Sequence, residues 1–250
     1  AKRLQSELQS FLGQDVPVLP SRELTLYDSA VVSRAWEQKR LRQFFDLTQG
    51  TARIQIMSYE ALSMRTMPPQ VLKDAAFTLE VGREYVLEEL LQHLTQAGYS
   101  RCGMVEGPGQ YAVRGGIVDI YSPAEDRPVR VEFFGDELDT MGYFDPETQR
   151  RVENVDHITI LPVGETQPML HPGGIEGLCA DLQNLITRQQ RRKNLNEPLI
   201  KTLQKDLEKY SNYLSNTASD RYMALIYPQF ATAMDYIPAN AVIALCEQNN

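Results

Sequence analysis

Arg130, Glu132 and Phe134 stand two residues apart in the run Val-Arg-Val-Glu-Phe-Phe. In an extended chain that spacing puts all three on one face, with Val129, Val131 and Phe133 on the other. A guanidinium, a carboxylate and a large ring on one strand face permit two kinds of chemistry. One is cross-strand ion pairing on a solvated sheet, with Phe134 covered by a neighbouring helix. The other is recognition of a partner, because Arg and aromatic side chains dominate binding hot spots. Arg114 lies on the preceding segment. The Gly115-Gly116 pair after it signals a bulge or a close backbone approach, so parity does not fix its face.

Other arrangements fare less well. Asp119, Glu132, Asp136, Glu137 and Asp139 could be drawn together as a metal or acid–base cluster. Glu132 and Asp136 straddle a turn, however, and no His or Ser nucleophile accompanies them. Nucleotide chemistry needs a glycine-rich loop, a Lys for the terminal phosphates and a Ser or Thr for the metal. No Gly-Lys-Ser or Gly-Lys-Thr occurs. Gly107-Pro108-Gly109 lacks an amide donor at Pro108 and precedes a strand where a phosphate loop needs a helix, so it reads as a turn. His93 has no second His or Cys one turn away and reads as a packed or surface imidazole. Cys102, Cys179 and Cys246 are widely spaced and odd in number, which argues for a reducing cytoplasm and against a disulfide framework.

The 250 residues carry a net charge of −8, with 42% hydrophobic and 23% charged residues. This is a globular composition with room for two or three small cores. The acidic balance disfavours a dedicated nucleic-acid binder, which would show a basic stripe. Arg188, Arg191, Arg192 and Lys193 form a basic run. It reads as a solvated connection between helices, with a DNA or partner contact as the other possibility.

The elements that must hold these residues follow from periodicity and turn chemistry. Lys2 to Phe11 is expected as a helix stopped by Gly13, and Val16 to Leu19 as a strand. Ser29 to Phe45 is expected as a helix with Val32, Trp36 and Leu41 on its apolar side. Arg53 to Met57 follows as a strand, with Ser58 capping a short helix and Pro68-Pro69 breaking the pattern. Phe77 to Val81 is a strand, and Arg83 to Gln96 a helix striped by Val86, Leu90, Leu91 and Leu94 and closed by Gly98. An antiparallel sheet then runs from Tyr99 to Leu161, broken at Ser122 to Pro128, Gly135-Asp136 and Asp145-Pro146, with Val155 to Leu161 as its last strand. Gln167 to Gly174 reads as a linker. Two helices follow, striped by Ile175, Leu178, Leu182, Leu185 and Ile186, then by Leu199, Leu203, Leu207, Tyr210 and Leu214. Ala224 to Phe230 and Ala241 to Leu245 are short apolar segments.

The blocks Gln-Tyr-Ala-Val-Arg-Gly-Gly-Ile-Val-Asp-Ile, Val-Arg-Val-Glu-Phe-Phe-Gly-Asp-Glu and Phe-Asp-Pro-Glu-Thr-Gln-Arg occur here in a family's order and spacing. Together they resemble the UvrB-homology module of bacterial transcription-repair coupling factors. A looser likeness, including Leu-Pro-Ser-Arg-Glu-Leu-Thr-Leu-Tyr-Asp and Ile-Gln-Ile-Met-Ser-Tyr-Glu-Ala-Leu, covers nearly the whole chain.

The resemblance implies a mixed α/β and α+β fold in three parts. Residues 1–76 would be an incomplete, degenerate helicase-like α/β subdomain. Residues 77–164 would be an inserted α+β domain with an antiparallel sheet. Residues 165–250 would be a helical segment returning to the first subdomain, its Ala241–Leu245 run rejoining as a strand. It implies a module that is not an enzyme, takes no cofactor and binds UvrA, the damage-recognition ATPase of excision repair. The matching positions are Arg114, Arg130, Glu132 and Phe134. RNA polymerase and double-stranded DNA would be partners of the whole family protein through other regions, including an ATP-dependent DNA translocase. The alternative is an autonomous DNA-binding or nuclease-like domain.

Overall fold

A computed structural model describes residues 1–21, 34–212 and 220–246. In the first layer, helix α1 (Lys2–Leu12) ends at Gly13, whose φ of 66° is the left-handed cap that glycine adopts without strain. Strand β1 (Val18–Leu19) pairs in parallel with β2 (Ile56–Met57). Helix α2 (Arg34–Gln49) lies between them in the chain. This is an α/β layer whose strands are shorter than their apolar runs. Leu41 is buried, but Trp36 stays 60% exposed. The expected positions before Arg34, Val32 among them, lie outside the described residues. Ser58 caps α3 (Tyr59–Ser63), accepting from the Ala61 N–H at 3.1 Å. Pro68-Pro69 does more than break the pattern. Pro69 opens α4 (Pro69–Ala75), at a position whose N–H no helix needs.

Strand β3 (Phe77–Glu80) leads to α5 (Leu87–Gln96), which starts later than its periodicity predicts. The Gly82 N–H and the Arg83 carbonyl instead bond to Leu138, and Tyr85 N–H to Asp136. Val86 therefore sits at the cap, half exposed, and Leu90 and Leu94 carry the buried stripe. A six-stranded sheet follows in sequence order: β4 (Ser100–Arg101), β5 (Gln110–Arg114), β6 (Ile117–Tyr121), β7 (Val129–Phe134), β8 (Glu137–Phe144) and β9 (Arg151–Asn154). All neighbours are antiparallel except β4 and β5. Both glycine turns make two-residue loops, with Gly115 at φ 62° and Gly135 at φ 65°.

The last strand of this sheet is β9, not the expected Val155–Leu161 segment. That segment turns away, and β10 (His157–Ile160) pairs antiparallel with β3, which places Ile158 and Ile160 in the core. Tyr111, Val118, Ile120, Val129, Val131, Leu138 and Met141 pack with Leu90 and Leu94 of α5, so the domain has its own core.

Helices α6 (Gly174–Gln190), α7 (Glu197–Ser211) and α8 (Met223–Ile226) follow. Asn196 caps α7, accepting from the Leu199 N–H at 3.1 Å, and Pro198 sits in its first turn. Leu178, Leu182, Leu203, Tyr210 and Tyr222 share one core with Leu19, Leu41 and Phe44. The helical segment thus packs against the first layer. Leu214 lies outside the described residues. Ala241–Cys246 forms no strand and is exposed, and no sheet partner is found for it among the described residues.

One helix mounts the middle domain. On α2, Gln38 Nε2 donates to the Pro108 carbonyl at 3.1 Å, Arg42 pairs with Asp126, and Glu37 Oε1 accepts from the Glu165 N–H at 2.5 Å. Arg40 Nε meets Glu165 Oε1 at 2.6 Å, with both side chains fully buried. Glu165, Thr166 and Gln167 are buried, so the expected linker begins as part of the interior. The approach is tight: a Cβ at Gly164 would lie 2.7 Å from Glu37 Oε1, and one at Gly109 2.6 Å from Val163.

Candidate protein-docking face

Register now fixes which residues share the outer face. Arg114 stands opposite Ile117, and Ile117 opposite Glu132. Glu132 stands opposite Thr140. In the next row Ala112, Asp119, Arg130 and Gly142 are consecutive partners. Directly paired residues point to the same side. Arg114, Arg130 and Glu132 are therefore on one face, the one whose Arg114 membership parity left open. Phe134 joins them at the end of β7 opposite Glu137, 82% exposed. The alternation Arg130, Glu132, Phe134 survives a bulge between β7 and β8 because the extra residue, Asp139, is on β8. Gly116 makes the close approach expected of it: a Cβ there would sit 3.0 Å from the Phe133 carbonyl.

The four residues are not equally exposed. Arg130 is mostly internal. Its Nε and Nη2 form a two-pronged bond to Asp119 at 2.7 and 2.9 Å, and Nη2 also reaches Gln149 Oε1 at 3.1 Å. Its guanidinium lies 4.7 Å from the centre of the buried Phe144 ring. The Asp119 hydrogen bond is the main cause that raises the Arg130 pKa further above its ordinary value. Arg130 is 18% exposed and Asp119 2%. The solvated arginine anticipated from alternation is thus a half-buried one, held because Asp119 on β6 faces it directly.

Gln149 reaches Arg130 through the Asp145-Pro146 turn. Asp145 Oδ1 accepts from the Thr148 N–H at 2.7 Å and the Glu147 N–H at 3.0 Å. These bonds, led by that of Thr148, hold the Asp145 carboxyl below its usual range. Gln149 then takes a left-handed φ of 60°, which turns its side chain back under Arg130.

Glu132 has its own partner. Arg151 Nη2 donates to Glu132 Oε1 at 2.5 Å and to Thr140 Oγ1 at 3.3 Å, and Nη1 donates to Asn154 Oδ1 at 3.2 Å. Gly142 makes room for it: a Cβ there would lie 3.2 Å from Arg151 Cδ and Nε. Arg114 is exposed and donates to the Gly103 carbonyl at 3.2 Å.

Asp119, Gln149 and Arg151 were not assigned to the face from sequence. The readable hint was Gly142, a lone glycine inside a strand, which marks a close approach. The imagined acidic cluster is dispersed: Asp119 belongs to Arg130, Glu132 to Arg151, and Asp136 and Glu137 to the hairpin. Among the described residues no grouping of His, Cys, Asp and Glu could hold a metal ion, and no helix is long and apolar enough to cross a membrane. His93 lies exposed against Phe77, with ring centres 6.0 Å apart. Arg191, Arg192 and Lys193 are exposed on the connection between α6 and α7. Gly107 to Gly109 is a turn feeding β5.

Comparison with known proteins agrees with this architecture. The family model of the UvrB interaction domain matches residues 77–165, which begins at β3 and ends at Glu165. The transcription-repair-coupling factor of Bacillus subtilis is 30% identical over 99% of this chain. That of Myxococcus xanthus is 34% identical over 66% of it, and that of Haemophilus influenzae 28% identical over all of it. The chain spans about a fifth of the Bacillus and Haemophilus proteins, 21% of each, and 14% of the Myxococcus protein falls within its match. Residues 77–165 match the UvrB interaction domain family, within a chain that resembles transcription-repair-coupling factors along nearly all its length.

Proposed function

We propose that this chain is a non-catalytic docking module that brings UvrA to stalled transcription complexes during nucleotide excision repair. Arg114, Arg130, Glu132 and Phe134 form the docking face. The carrying observation is Phe134, a ring left 82% exposed beside two ordered arginine–carboxylate pairs. An exposed aromatic anchor flanked by fixed charges is the usual anatomy of a hot spot. Arg114 is the accessible guanidinium, Arg130 a preset one held in register by Asp119 and Gln149. Any role for RNA polymerase or double-stranded DNA would fall to parts of the longer relatives outside this chain.

The experiment is capture of purified UvrA by the immobilised 250-residue chain. The parent is expected to retain UvrA, and Phe134→Ala to lose most of it. Equal retention by both would remove Phe134, and with it this reading of the face.

A further inference from the structure

An acidic residue on a docking face can fix orientation by meeting a cation of the partner, and Glu132 is such a residue. The structure supplies that cation from within, because Arg151 crosses from β9 over the bare backbone of Gly142 to reach it. The stem of Arg151 packs closely there, since a Cβ at position 142 would lie 3.2 Å from its Cδ and Nε and 2.7 Å from the Glu153 carbonyl. Its guanidinium is then fixed on three acceptors: Glu132, Thr140 and Asn154. Arginine has five N–H donors, and with its side chain 31% exposed the group keeps an edge toward solvent. The charge of the face changes accordingly. Asp119 neutralises Arg130 and Arg151 neutralises Glu132, which leaves Arg114 as the uncompensated charge among the named residues.

Resting on the docking role proposed above, we infer that Arg151 is a further specificity-determining residue of this face, oriented by Glu132 to receive a partner carboxylate. Glu132 is then a positioning residue: it holds Arg151 in place rather than seeking a cation across the interface. The complementary surface is an apolar socket for Phe134 edged by acidic side chains that meet Arg114 and Arg151. Arginine suits this role better than lysine, since one planar fork can serve Glu132 and a second carboxylate together.

The test is calorimetric titration of purified UvrA into the parent chain and its variants, with a thermal melt of each. Arg151→Ala is expected to weaken binding about tenfold, the size of an ordinary hot-spot truncation. Arg151→Lys should recover only part of that. The decisive variant is the swap Glu132→Arg with Arg151→Glu, which rebuilds the internal ion pair with its polarity reversed. The inference predicts a parental melt and weak binding for the swap. If the swap restores binding as well as the melt, Arg151 is merely structural and the inference fails. If Arg151→Ala binds like the parent while Phe134→Ala does not, the inference fails and the docking face stands. If both bind like the parent, both fail.

Discussion

Two arginine–carboxylate pairings in this molecule use the same groups for opposite ends. At the junction, Arg40 and Glu165 are fully buried. Around them, the Pro20 carbonyl accepts from Arg40 Nη1 and the Thr66 hydroxyl donates to Glu165. On the sheet, Arg130–Asp119 and Arg151–Glu132 are joined as closely, but 18% of the Arg130 side chain and 31% of the Arg151 side chain stay exposed. The comparison separates geometry from availability. A pair with no exposed edge can only fix structure, here the mounting of the interaction domain on α2. A pair with one edge open is ordered and still addressable. Burial, not the identity of the residues, decides which role an arginine takes.

Breaking the junction should have the largest effect on stability. Glu165→Ala leaves the Arg40 guanidinium buried without its carboxylate, and removing one partner of such a pair costs about 3–5 kcal/mol. Urea denaturation of parent and variant would measure it. The double variant Arg40→Met with Glu165→Leu should lose less than Glu165→Ala alone, since no bare charge remains. A double variant as unstable as the sum of two singles would contradict the pairing.

Arg130→Ala should fall between the two regions. Its loss strands the Asp119 carboxylate, which is 2% exposed, and a buried group left unsatisfied costs about 1–3 kcal/mol. For a solvated arginine on an exposed strand face this substitution would leave the melt nearly unchanged. The observed fork to Asp119 reverses that expectation. Arg130→Ala should lower both the melting temperature and UvrA affinity, so it is a poor probe of docking by itself.

The exposed bridge between α2 and the 122–128 turn should matter less than either the junction pair or Arg130–Asp119. Arg42 and Asp126 are 40% and 82% exposed, and pairs of that kind contribute about 0–1 kcal/mol. The hydrogen bond from Arg42 depresses the Asp126 pKa below its ordinary 3.8. A depressed acid stabilises the fold fully above its unfolded value and loses that contribution as pH falls through the folded value. The melt of Arg42→Ala should therefore differ slightly from the parent at pH 7 and converge with it in acid, as Asp126 protonates. A gap that widens in acid would contradict the assignment.

What could be read in advance was local. The face Arg130–Glu132–Phe134 follows from a period of two, the hairpins from Gly115 and Gly135, and the α1 stop from Gly13. What stayed hidden was nonlocal. Arg40 and Glu165 are 125 residues apart, and no pattern near either names the other. Arg151 reaches Glu132 only after bulges at Asp139 and at Val152 shift the register of β8 and β9. Each bulge is one residue whose place depends on packing across strands. The departure of β10 from the sheet was hidden for the same reason, because Ile158 and Ile160 fit an apolar face in either sheet.

Phe134→Ala should have the smallest effect on stability and a large one on binding, and this contrast tests the central claim most directly. The ring is 82% exposed and lies outside the core, so its loss should change stability by no more than about 0.5 kcal/mol. As the anchor of the face it should contribute about 2 kcal/mol or more to docking, at least a roughly thirtyfold loss of affinity. The measurement is titration calorimetry of UvrA against parent and Phe134→Ala, each melted in the same buffer. The account predicts coincident melts and a binding isotherm weakened at least thirtyfold. Coincident melts with unchanged affinity would place any UvrA contact elsewhere on the chain, and a collapsed melt would make Phe134 a structural residue.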